Sequence, residues 1–180
     1  MLKGDRVLLR EFRRSDLAEL RKWVNDEETN RYLGFWTFPQ TEEQTLEYLE
    51  RQLGREAPFT DIELVITLKD DPEGTYIGGV GLHGIDWRNR NAELGIVIGR
   101  KELQGQGLGT EAIRLMLGYA FDFLNLHKVN LVYFEYNARG RRCYEKCGFK
   151  EEGRVRENRY WDGRYWDVIR MGITAEEYHK

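Results

Sequence analysis

Over residues 110–126 the chain is apolar on almost every side of a helix. Ala112, Ile113, Leu115, Met116, Leu117, Tyr119, Ala120, Phe121, Phe123 and Leu124 leave only Glu111, Arg114 and Asp122 charged. Such a helix has to be surrounded, so the rest of the chain must supply a layer broad enough to bury it. The 180 residues allow one domain of ordinary size. At 41% hydrophobic and 13% aromatic they supply a sizeable core, which excludes disorder. Cys143 and Cys147 are the only cysteines, so no disulfide framework is expected.

The covering layer reads as a sheet. Residues 62–68 and 92–98 alternate with period two, and 76–85 is a glycine-rich strand between them. Short turns at 70–74 and 87–91 join the three, which implies an antiparallel meander. Upstream, residues 7–12 read as a first strand. Leu17, Leu20 and Val24, with Trp23 beside them, then recur at helical spacing behind Ser15 or Asp16 as cap. A second helix starts from Thr41 with Gln44 three residues on, and Leu46, Leu49 and Leu53 form its stripe. Downstream, 128–136 is β-rich, 138–147 is a short helix ending at Gly148, and 155–160 with 165–173 reads as a hairpin about Asp162-Gly163. The order βαα, βββ, α, β, α, ββ predicts an α/β domain over residues 1–180, with a mixed, mainly antiparallel central sheet flanked by helices.

Charge narrows the function classes. Lys and Arg number 28 against 31 Asp and Glu, a formal net charge of -3, so no basic field draws the chain to nucleic acid or an anionic membrane. No apolar run approaches the roughly 18 residues a bilayer span requires. Residues 1–6 show no apolar leader, and a cytoplasmic location is expected. The two cysteines lack the Cys and His partners of a zinc site, so no metal is expected. Neither is expected to act in catalysis.

The segment 103–110, Leu-Gln-Gly-Gln-Gly-Leu-Gly-Thr, runs straight into the apolar helix. Glycines let the backbone approach a ligand closely, and the free N–H groups of a helix start favour anions, diphosphate among them. No Lys-Ser/Thr follows, so it is not a Walker loop, and the third glycine comes too early for a dinucleotide fingerprint. A tight connection into a buried helix is the alternative.

Gln104-x-x-Gly107-x-Gly109 resembles the Gln/Arg-x-x-Gly-x-Gly/Ala motif of the GCN5-related N-acetyltransferases, the GNAT superfamily. Asn137 and Tyr144, seven apart, and Tyr144-Glu145-Lys146-Cys147-Gly148-Phe149 resemble that family's ending motif, and residues 92–99 its fourth strand. Leu8-x-Arg10, Asp16-Leu17 and Gly163-x-Tyr165-x-Asp167 resemble the RimJ/RimL-like ribosomal-protein branch, and stretches around 104–110, 125–126 and 169–171 resemble bacterial spermidine acetyltransferases. One position departs: where the family usually has Ala or Ser three residues after the Asn, this chain has Gly140.

The resemblance implies acetyl transfer from acetyl-CoA to a primary amine by direct attack in a ternary complex. The thioester must then be held, the ammonium deprotonated, the oxyanion stabilised and the leaving thiolate protonated. It implies Tyr144 as the acid, and Glu93 as the base, acting directly or through water. His83 is the second candidate base, and pairing of Glu93 with Arg88 or Arg90 is the structural alternative. For the cofactor it implies Gln104, Gly105, Gln106, Gly107, Leu108, Gly109 and Thr110 around the pyrophosphate. Main-chain groups of Ile96, Val97 and Ile98 would lie along the pantetheine, which Asn137 and Tyr144 also reach. Arg139, Arg141 or Arg142 would meet the adenosine phosphates or form a solvated helix face.

The acceptor is a peptide N-terminus or a small polyamine in this reading. An antibiotic amine, or a non-catalytic acyl-CoA-binding sensor, is the alternative. Between Trp23 and Glu50 stand Asp26, Glu27, Glu28, Glu42, Glu43, Glu47 and Glu50 against Arg31 alone. They form either a rim that attracts a polycation or two solvated helix faces. Phe35, Trp36 and Phe38 wall the acceptor pocket or cluster under a loop. The C-terminal hairpin closes the sheet or meets a second subunit as a homodimer.

Overall fold

A computed structural model of the chain describes residues 1–34, 38–56 and 59–180. Its strands are β1 (Leu2–Lys3), β2 (Val7–Arg10), β3 (Ile62–Leu68), β4 (Gly78–Asp86), β5 (Asn91–Ile98), β6 (Lys128–Phe134), β7 (Lys150–Trp161) and β8 (Arg164–Thr174). They form one sheet in the order β1-β2-β3-β4-β5-β6-β8-β7. Every neighbouring pair is antiparallel except β5 with β6, as a mixed, mainly antiparallel sheet requires. The tail hairpin turns at Asp162 and Gly163, both at positive φ (52° and 77°), the geometry that suits the twist of its strands.

The parallel pair is short. Asn91, Ala92 and Glu93 oppose Lys128, Val129 and Asn130, and the ladder stops there. β5 runs on to Ile98 paired with β4 alone, so its other edge borders a cleft.

Helices cover both faces of the sheet. On one, α4 (Leu108–Gly118) buries Leu108, Ala112, Ile113, Met116 and Leu117 in a core with Val7, Leu9, Ile66, Leu82 and Leu94. Each such side chain contributes about 1.5–3 kcal/mol of transfer free energy. On the other, α1 (Leu17–Trp23) and α3 (Glu42–Leu53) close a smaller cluster of Phe12, Leu20, Trp23, Leu49, Val65 and Tyr76. Short helices α2 (Glu27–Asn30), α5 (Ala138–Lys146) and α6 (Ala175–Tyr178) complete the chain. No helix among the described residues is long and apolar enough to cross a membrane.

Three local readings change. The apolar segment is not one helix to residue 126: α4 ends at Gly118 and a π turn, Tyr119–Phe123, follows. The wider turn keeps Ala120 and Phe121 buried and sends Phe123 into solvent at 75% exposure. In α3 the Thr41–Gln44 capping box forms, but Leu46 and Leu53 are exposed, and Thr45 and Leu49 face inward with Tyr48. Its buried side is half polar, because the Tyr48 hydroxyl donates to Glu63, so leucine spacing did not mark it. Asp16 precedes α1 but its side chain makes no cap bond to that helix: it accepts from the Arg13 N–H (2.8 Å) and takes two bonds from the buried Arg10 guanidinium (2.9 and 2.6 Å). Phe35 and Trp36 lie outside the described residues, and Phe38 is exposed.

β4 has glycine where it meets the cleft strand. A Cβ on Gly78 would stand 2.2 Å from the Val97 carbonyl oxygen, which is backbone and moves only if β5 moves. Gly78→Ala is therefore expected to cost about 1–3 kcal/mol, an overpacking penalty. Urea unfolding reads it as a lower midpoint at unchanged slope.

Candidate active site

The cleft beyond Glu93 holds a cavity of about 330 Å³. Ile96, Val97 and Ile98 of β5 form one wall. Asn137, Arg139, Gly140, Arg142, Cys143, Tyr144 and Lys146, from the start of α5 onward, form another, and Gln104, Gly105, Gly107, Gly109 and Thr110 close it. The sequence thus brought these residues together from three separate elements.

The closing turn has the geometry that can accept an anion. Gly105 and Gly107 sit at φ 75° and 84°, where a side chain is strained. Gly107 is the residue before α4, so the unsatisfied N–H groups of that helix start at the cavity. Gln104 ties the turn to both walls: its Nε2 donates to the Ile98 carbonyl (2.7 Å), and its Oε1 accepts from Arg139 (2.6 Å). Arg139, Arg142 and Lys146 give the lining positive charge. Arg141 instead pairs with Glu145 at 2.8 Å and does not line the cavity.

Asn137 caps α5, its Oδ1 accepting from the Gly140 N–H at 2.9 Å. A Cβ at position 140 would stand 2.5 Å from Asn137 Nδ2. Gly140, the one departure from the family pattern, therefore makes room for the Asn137 side chain as it is placed here. Tyr144 packs its ring against Tyr133 and Phe149, with centroids 5.8 and 6.4 Å away. No described residue hydrogen-bonds its hydroxyl. Burial, together with the charge of Cys143 and Cys147, pushes its pKa above the usual tyrosine value, so it is a proton donor at neutral pH. Cys143 approaches Thr110 Oγ1 at 3.3 Å, and the neighbouring Cys147 thiol holds its pKa below the usual cysteine value.

Three expected site residues lie outside the lining. Leu108 is core, 4% exposed, because the first turn of α4 faces the sheet. Gln106 points away: its Nε2 donates to the Glu102 carbonyl, and its own carbonyl accepts from Arg6. Glu93 is exposed on β5, opposite His83 and before the cleft opens, and neither Arg88 nor Arg90 pairs with it among the described residues. Conversely, Thr29, Tyr32, Leu33, Leu103 and Lys146 line the cavity. Leu103 heads the glycine-rich segment and Lys146 stands in the 144–149 motif, whereas Thr29, Tyr32 and Leu33 had no sequence signal. The acidic stretch is partly neutralised, with Asp26 and Glu28 each 2.8 Å from Lys101 Nζ and Glu50 paired to Arg14.

A second polar group lies on the α1/α3 side of the sheet. Glu63 of β3 is opposite Gly81 of β4, which is opposite Gly95 of β5, and His83 is opposite Glu93. His83 Nδ1 stands 3.5 Å from both Asp61 Oδ1 and Glu63 Oε1. Burial raises the Asp61 pKa, but bonds from the Gly84 N–H and Thr60, with the charge of His83 and Arg55, hold it below the usual value.

Residues 6–150 match the family model described as the Acetyltransferase (GNAT) domain. The chain belongs to the GNAT acetyltransferase family. Spermidine N(1)-acetyltransferase of Vibrio cholerae is 38% identical over 109 residues, which are 61% of this chain and 62% of that protein. The Bacillus subtilis protein YdaF, provisionally named a ribosomal N-acetyltransferase, is 35% identical over 106 residues, 59% of this chain and 57% of its own. The matched stretches are thus less than two thirds of either relative. A crystal structure of the Vibrio cholerae spermidine N-acetyltransferase in complex with CoA and spermine matches with a TM-score of 0.82 at 31% identity. That match spans 97% of this chain and 98% of that one. The GNAT fold therefore extends over nearly all of the chain, the cleft included.

Proposed function

We propose that this GNAT domain transfers the acetyl group of acetyl-CoA to a primary amine of a small polyamine, by direct attack in a ternary complex. The observation that carries the reading is the cavity itself. An open strand edge, a glycine-rich turn at a helix start, three cations and a tyrosine hydroxyl with no hydrogen bond among the described residues line one space.

These residues fit a pantetheine diphosphate. The main chain of Ile96, Val97 and Ile98 offers hydrogen bonds to an amide-bearing arm laid along β5 as an added strand. The N–H groups from Gly105 to Thr110 suit the diphosphate, and Arg139, Arg142 and Lys146 suit the remaining phosphate charge. Acetyl-CoA supplies an activated thioester. Tyr144 gives its proton to the sulfur as the C–S bond breaks and the new C–N bond forms.

Asp61, Glu63 and Glu93 favour a polyamine. They place three carboxylates on or beside one sheet face near the cleft, more than a single ammonium needs. The similarity to spermidine N-acetyltransferases supports the same acceptor. Free-thiol release from acetyl-CoA, measured with spermidine, spermine, aminoglycosides and peptides beginning with Ala or Ser, tests it. Selective turnover of the polyamines, weakened by salt, is the expected result. Turnover of peptides alone would move the acceptor to protein N-termini, the reading that the similarity to YdaF favours. Acetyl-CoA binding without turnover of any amine would make the domain a sensor.

A further inference from the structure

We propose that His83 takes the proton from the acceptor amine, and that Glu63 and Asp61 are the positioning residues that orient its ring, with Tyr48 fixing Glu63. This rests on the acetyl-transfer reading of the cleft and assigns the step which that reading leaves without a residue.

The two carboxylates lie on one side of the imidazole. Both approach Nδ1, at 3.5 Å. A carboxylate beside one ring nitrogen holds the N–H there, which leaves the lone pair on the other. That other nitrogen, Nε2, lies 3.0 Å from where a Cβ on Gly95 would be, so the ring is laid over β5. The residue after Gly95 is Ile96, which lines the cavity. The basic nitrogen therefore lies on the cleft strand, just past the point where β5 leaves β6.

The sheet is cleared for this arrangement. A Cβ at Gly81 would stand 2.7 Å from Glu63 Cγ, so a side chain there displaces the carboxylate. With Gly95 bare as well, His83 and Glu63 lie flat between β3 and β5. From α3 the Tyr48 hydroxyl donates to Glu63 Oε2, leaving Oε1 for His83. Burial and the Glu63 charge push the Tyr48 pKa far up, so that donor keeps its proton. The groups that face the imidazole or its partners are Asp61 and Glu63 on β3, Glu93 on β5, Tyr48 on α3, and Arg55 and the buried Tyr76 near them. Asp61 and Glu63 stand at Nδ1 of the imidazolium that forms, and Glu93 is its register partner on β5.

The step balances within the proposed reaction. The ammonium first loses one proton to solvent; the free amine nitrogen then forms the C–N bond and its N–H proton passes to His83 Nε2. The C–S electron pair leaves on sulfur, which takes the Tyr144 proton. His83 then gives its proton to solvent and the Tyr144 oxygen takes one back from it, so both groups are restored.

The experiment uses the full chain with acetyl-CoA and spermidine. It compares the wild type with His83→Gln, His83→Ala, Glu63→Gln and Glu93→Gln, each checked for a native melting transition. His83→Gln is expected to lower kcat by about 10²–10⁴-fold. Acetyl-CoA affinity by calorimetry should stay unchanged, and the acid limb of the kcat/KM profile should disappear. Added imidazole is expected to restore turnover to His83→Ala. Glu63→Gln is expected to lower kcat less than His83→Gln does, with acetyl-CoA affinity unchanged, because the ring loses one of the two groups that orient it. A folded His83→Gln protein with wild-type kcat and acid limb would overturn the proposal, as would an acid limb lost only in Glu93→Gln. A wild-type chain that binds acetyl-CoA yet turns over no amine would instead overturn the acetyl-transfer reading beneath it.

Discussion

Tyr144→Phe is expected to lower kcat by about 10²–10⁴-fold, the range that loss of a general acid gives. Acetyl-CoA affinity should change by no more than about threefold, roughly 0.7 kcal/mol. The substitution removes one oxygen. The ring contacts with Tyr133 and Phe149 remain, and no described residue loses a hydrogen bond, so the fold has no reason to weaken. The chemistry does have one: a thiolate would leave without a proton donor. The sign of the pH dependence follows from the raised pKa. The acid form is the active one, and activity is lost only as pH climbs through a value above the ordinary 10 or so. The wild type should therefore show no Tyr144-dependent fall below about pH 10. Steady-state thiol release and calorimetry separate the two effects. A folded Tyr144→Phe protein with unchanged kcat would remove Tyr144 from the mechanism.

The largest expected loss of stability is at Asp16. Its carboxylate and the Arg10 guanidinium are each 3% exposed and share two hydrogen bonds. Arg10 also donates to the carbonyls of Glu11 and Gly74, pinning the 70–74 turn to β2. Asp16→Leu leaves a buried cation without its counterion, which costs about 3–5 kcal/mol. Domains are stable by only about 5–15 kcal/mol, so this is a large share. Replacing both partners, Arg10→Met with Asp16→Leu, should recover much of the loss, because no charge is then stranded. Urea unfolding of the two single variants and the double variant gives the coupling. An exposed pair such as Lys180–Glu176 should give about 0–1 kcal/mol in the same measurement. A double variant as unstable as Asp16→Leu would show that the cost lies in lost packing or in the Arg13 N–H left unpaired.

The sequence disclosed what is local. Period-two segments gave the meander, Thr41 with Gln44 gave a capped helix, and the glycine spacing gave the turn that closes the cavity. Asn137 and Tyr144 were legible because seven residues on one helix put both on the cavity side. What stayed hidden depends on partners far apart in the chain. Nothing near Glu93 says that β5 leaves β6 there, because the parting is a property of two strands 30 or more residues apart. Asp16 reads as a cap until Arg10 is seen beside it. His83 reads as an ordinary strand histidine until Asp61 and Glu63 are placed beside Nδ1. Thr29, Tyr32 and Leu33 reach the cavity from a four-residue helix and the turn after it, with no periodic signature. Single glycines were also opaque. Gly78, Gly81 and Gly95 look like weak points of two strands, yet each gives up a side chain where a neighbour needs the space.

The three rungs between β5 and β6 join two antiparallel units, β1 to β5 and β6 to β8, that are otherwise bridged mainly by helices. On the proposed reading, a cosubstrate laid along the free edge of β5 would complete that seam and hold the two halves together. At a concentration a hundred times its Kd it adds about 2.7 kcal/mol to the folded state. The survival of this protein in a cell would then follow metabolic supply: well fed with coenzyme it persists, and when the pool falls it becomes easier to unfold and degrade, without any dedicated regulator.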